Sequence, residues 1–66
     1  MTHTQLIATE LSNLGFEVHI TQTGVLVSLN RPLHWLEVEM AMMQAFEDIR
    51  FRVVRISKNS VHVSES

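Results

Sequence analysis

The chain has 66 residues, of which 45% are hydrophobic and none is cysteine; that excludes a disulfide framework and the cysteine-based zinc sites. A domain this small buries only roughly 60% of the surface its unfolded chain exposes, so stability requires a tight core or a partner. Five basic residues against seven acidic ones give a net charge of −2, a poor footprint for nonspecific binding to a polyanion.

Thr2 followed by Gln5 has the spacing of a capping box, and Ile7, Leu11 and Leu14 then recur on one helical face. Gly15 sits where a helix C-cap is expected. From Phe16 the period switches to two. Phe16, Val18 and Ile20 alternate with Glu17, His19 and Thr21, the pattern of a strand with one buried face. Thr23-Gly24 makes the turn, and Val25, Val27 and Leu29 alternate with Leu26, Ser28 and Asn30 in a second strand. Asn30-Arg31-Pro32 breaks that strand, because proline has no N–H for a ladder and is favoured in the first turn of a helix. A second helix is predicted from Leu33 to Asp48, followed by strands from Phe51 to Ser57 and from Ser60 to Ser64, joined by Lys58-Asn59.

The two halves of this single domain, about 3–30 and 33–64, match each other. At an offset of 35, Ile7, Leu11, Leu14 and Phe16 fall on Met42, Phe46, Ile49 and Phe51. At an offset of 36, Val18, Ile20, Val25 and Val27 fall on Val54, Ile56, Val61 and Val63. The match indicates an internal duplication of an αββ unit. The extra residue falls at Val53-Val54, where two adjacent apolar side chains predict a β-bulge.

Connection rules favour one antiparallel four-stranded sheet in which the strands, lettered in chain order, stand a-b-d-c, with both helices on one face. The fold class is therefore α+β, a two-layer sandwich. It resembles a ferredoxin-like fold whose first strand has moved to the C-terminus, an architectural likeness that carries no function by itself.

On the second helix, Trp35, Val38, Met42, Phe46 and Ile49 make the expected core face. Leu33, Leu36, Met40 and Met43 form a further apolar stripe at heptad-like spacing, read as the interface of a symmetric homodimer. Methionines suit such an adaptable surface. The primary expectation is thus a non-catalytic interaction or adaptor module whose partner is a second copy of itself, with another protein as a further candidate partner and coverage of the stripe by the neighbouring helix as the competing reading.

The alternative rests on Arg50, Arg52, Arg55 and Lys58, four of the five basic residues. With a bulge at Val53-Val54, Arg52 and Arg55 are expected on the open face of the sheet beside His19 and His62, a surface suited to RNA or single-stranded DNA. Such platforms use exposed aromatic rings. Phe16, Trp35, Phe46 and Phe51, the only aromatics, all fall on predicted core positions.

Leu14-Gly15-Phe16 followed by a hairpin resembles the opening of small HicA-type toxin domains, which are themselves similar to double-stranded-RNA-binding folds. The likeness covers about the first 30 residues. Those toxins carry a histidine at the hairpin, where this chain has Gln22-Thr23-Gly24-Val25, and its second half ends in strands rather than a helix. Ribonuclease activity is therefore not carried over.

His34 and Glu37, three apart on the second helix, supply only two of the ligands a metal site requires. The two glycines form no phosphate loop, and GxSxG, HExxH and CxxC are absent. No cofactor and no enzymatic activity are expected. The start of the chain lacks a basic and apolar leader, and no apolar run reaches membrane-spanning length. These features predict a soluble cytoplasmic protein that begins at its own initiator Met and does not engage membranes.

Overall fold

The computed structural model describes residues 3–66; Thr2, the expected capping residue, lies outside them. Helix α1 (His3–Asn13) turns Ile7, Ala8 and Leu11 inward. It ends in a Schellman motif. The Phe16 N–H donates to the Leu11 carbonyl at 3.2 Å and the Gly15 N–H donates to the Ser12 carbonyl at 3.0 Å. Gly15 closes this motif at φ +100°, a backbone conformation in which its lack of Cβ avoids strain. Leu14, expected in the core, is 55% exposed because the helix has already ended at Asn13. Ala8 joins Ile7 and Leu11 in the core instead, and Phe16 packs against it from beyond the cap.

Strands β1 (Glu17–Ile20), β2 (Val25–Ser28), β3 (Phe51–Ser57) and β4 (Ser60–Glu65) form one antiparallel sheet in the order β1-β2-β4-β3, as expected. At its centre Val25 pairs with Val63 and Val27 with Val61. All four valines are wholly buried against Leu11 of α1 and against Val38 and Met42 of helix α2 (Trp35–Ala45). One core shared by both helices places them on the same face of the sheet. Each fully buried aliphatic side chain contributes about 1.5–3 kcal/mol by leaving water, and no polar or charged residue is buried among the described residues. Gly24 enters β2 so close to β4 that a Cβ there would meet the Val63 carbonyl oxygen at 2.1 Å.

Helix α2 is shorter than predicted at both ends. Pro32 belongs to the preceding linker and not to the first turn, because His34 is the N-cap. The linker is held against the tip of the β3–β4 hairpin. Leu29 donates its N–H to the Asn59 carbonyl at 3.0 Å, and Leu33 donates to the Lys58 carbonyl at 2.7 Å. These bonds set Leu33 into the core at 3% exposure, so it is not part of an interface stripe. Trp35, expected inside, is 41% exposed at the start of the helix. Ile20, at the end of the edge strand β1, is likewise exposed.

The expected bulge at Val53-Val54 is not there. The ladder runs unbroken through Val53 opposite Val63 and Val54 opposite His62, and the irregularity falls between Arg55 and Ser57. Two adjacent valines need no bulge here, because Val53 faces the helices while Val54 stands half-exposed on the open face.

Candidate functional site

The relocated bulge divides the basic cluster. Arg52 pairs with Ser64 and shares the open face with Val54 and His62. Arg55 pairs with the wholly buried Val61 and therefore projects to the helix side, contrary to the open-face expectation. Arg50 precedes β3, and its carbonyl accepts from the Ser66 N–H at 3.0 Å. The four residues thus do not form one surface. His62 is engaged by the β1–β2 turn, with the hydroxyls of Thr21 and Thr23 at 3.0 and 3.2 Å from its Nε2. The Thr21 oxygen also accepts from the Gly24 N–H at 3.0 Å, which ties the turn together.

Arg55 and Lys58 meet Leu33, His34, Trp35 and Glu37 around a cleft of about 330 Å³ between the start of α2 and the β3–β4 hairpin. Its α2 wall is built by a capping box. The Leu36 N–H donates to His34 Nδ1 at 3.1 Å, and the His34 N–H donates to the Glu37 carboxylate at 3.1 Å. Because Nδ1 accepts, the neutral ring carries its proton on Nε2. The His34 and Trp35 rings stack at 5.7 Å between centroids, 29° from parallel.

Arg31 closes the arrangement. Its two terminal nitrogens lie 3.0 and 3.4 Å from the two Glu37 carboxylate oxygens, and one of them also donates to the Pro32 carbonyl at 2.9 Å. The hydrogen bond from Arg31, aided by the His34 N–H, holds the Glu37 carboxyl below the ordinary carboxylate range, and Arg31 is raised in return. The one acidic side chain in the cleft wall is thereby matched by a cation from outside it.

Among the described residues Arg55 and Lys58 have no such acidic partner. The Arg55 Nε–H reaches the Ser57 carbonyl at 3.5 Å, and the side chain lines the cleft. Sequence reasoning identified Arg55 and Lys58 but not the aromatic side chains beside them. The readable signal for the wall was the His34-x-x-Glu37 spacing, which forms a helix cap and not half of a metal site. Among the described residues no three His, Asp or Glu side chains cluster as metal ligands.

A second feature lies on the far side of α2. Leu36, Met40 and Met43 are 44%, 58% and 61% exposed. At 100° per residue they share one face, opposite the buried Val38 and Met42. No helix among the described residues is long and apolar enough to cross a membrane. No protein-family model matches the chain, and comparison with curated proteins and with solved structures finds none similar to it.

Proposed function

We propose that the protein is a self-associating interaction module in which two copies meet through the exposed face of α2. The observation that carries this reading is the stripe of Leu36, Met40 and Met43, more than two-fifths exposed at every position on a helix whose opposite side holds the wholly buried Val38 and Met42. Contiguous exposed apolar surface of this kind marks interaction sites, and flexible methionines fit a surface that repacks against a copy of itself. A two-fold arrangement is the simplest closure, since it sets the same stripe against itself. No polar side chain in the stripe has to be desolvated when it closes.

The 11 residues of α2 span only about 16 Å. The contact is therefore at the small end of specific interfaces, and dissociation in the micromolar range is expected. Its role is non-catalytic assembly or adaptor work. The absence of cysteine agrees with a reducing cytoplasm, where we assign the protein.

Sedimentation equilibrium across the micromolar range tests the reading. A dimer that dissociates on dilution, with a melting temperature that rises with protein concentration, is expected. The double variant Leu36→Glu, Met40→Glu is expected to be monomeric with unchanged circular dichroism, since both side chains are already in solvent. A wild-type monomer throughout the range overturns it.

A further inference from the structure

We propose that the cleft between the start of α2 and the β3–β4 hairpin binds a nucleoside phosphate, with its base on Trp35 and its phosphate between Arg55 and Lys58. This goes beyond self-association, because the cleft and the Leu36-Met40-Met43 stripe lie on different sides of the helix.

Charge is the first ground. Three cations stand near the cleft, and only Arg31 is committed, its guanidinium gripping both Glu37 oxygens. That pair neutralises the acidic wall. Arg55 and Lys58 remain in the lining, joined to no carboxylate among the described residues. A guanidinium fork beside an ammonium group is a favourable setting for a phosphate, the fork giving parallel N–H bonds and the ammonium a point charge.

The second ground is the ring pair. Trp35, the only tryptophan in the chain, is 41% exposed in the cleft wall and stacked on His34. An exposed indole offers a base a stacking surface. The cap also fixes the imidazole as the Nε2–H tautomer, which adds a donor at the same wall.

The third ground is size. A cleft of about 330 Å³ stands at the lower end of ligand sites and suits one nucleotide unit. The net charge of −2 disfavours a long polyanion. The Leu36 and Glu37 amides of the first helical turn are already committed, because both donate to His34. Recognition therefore rests on side chains. The same chemistry is offered by a free nucleotide and by a single unit within a short single strand.

Titration at low salt with AMP, adenosine, inorganic phosphate and a short single-stranded oligonucleotide tests the proposal, read by Trp35 fluorescence and by calorimetry. AMP is expected to quench the indole and to bind at least about tenfold more tightly than adenosine or phosphate alone. Oligonucleotide binding tighter than AMP assigns the site to a unit within a strand, and weaker binding assigns it to the free nucleotide. Arg55→Gln with Lys58→Gln is expected to lower affinity about tenfold or more, and Trp35→Leu to do so by calorimetry. Arg52→Gln, on the opposite face, is expected to leave binding unchanged. No binding of AMP or oligonucleotide at millimolar ligand overturns the proposal, as does affinity unchanged in the Arg55-Lys58 variant or inorganic phosphate binding as tightly as AMP.

Discussion

Arg55 stands opposite Val61 in the β3–β4 ladder. Val61 is wholly buried beneath the helices, so this one pairing turns the arginine to the helix side and into the cleft beside Trp35. Arg52, three positions earlier, leaves by the open face opposite Ser64. Had the bulge fallen at Val53-Val54, both arginines would have shared the open face and the cleft would have lost its guanidinium.

Leu33 and Leu36 differ sharply in burial despite lying in one apolar stripe of the sequence, at 3% and 44% exposure. Leu33→Ala is expected to cost about 2–5 kcal/mol in urea unfolding. Leu36→Ala is expected to stay within about 0.5 kcal/mol when measured on the dilute monomer.

His34 performs with an imidazole nitrogen the capping that serine, threonine, asparagine or aspartate performs with oxygen. His34→Ala is expected to cost about 1 kcal/mol, and His34→Asn to restore most of it. Equal losses in the two variants would show that the ring stack with Trp35, and not the cap, is what stabilises the start of α2.

The Glu37 carboxyl is held low by Arg31 and by the His34 N–H. A carboxyl lowered in the folded state stabilises fully above its unfolded value of about 4.3, and that contribution is lost as pH falls through the lower folded value. Urea midpoints measured from about pH 7 down to about pH 3 are expected to fall less in Glu37→Gln than in the wild type over the acid limb. Because the pair is exposed at the surface, high salt is expected to shrink the difference.

Gly15 and Gly24 are required for different reasons. At Gly15 the backbone is left-handed while the space for a Cβ is open, so Gly15→Ala is expected to cost about 1–2 kcal/mol. At Gly24 the obstacle is the Val63 backbone oxygen, 2.1 Å from a built Cβ. Gly24→Ala must therefore separate β2 from β4, and a larger loss than at Gly15 is expected in the same unfolding assay, with the central ladder losing amide-exchange protection first.

Local periodicity determined much of this protein. Alternation in Val25-Val27 and Val61-Val63, helical spacing in Ile7-Leu11 and Val38-Met42, and the Gly15 cap are properties of a few consecutive residues; the six elements follow from them, and connection rules then give the sheet order. Contacts distant in sequence decided the rest. Leu33 is buried because Lys58 holds its N–H, and Arg55 enters the cleft because the ladder slips at Ile56 and not at Val54. A period of two or of 3.6 says which residues share a face. Only packing against the other layer says where that face ends and which side chains at its edge remain free to meet a ligand or a second copy.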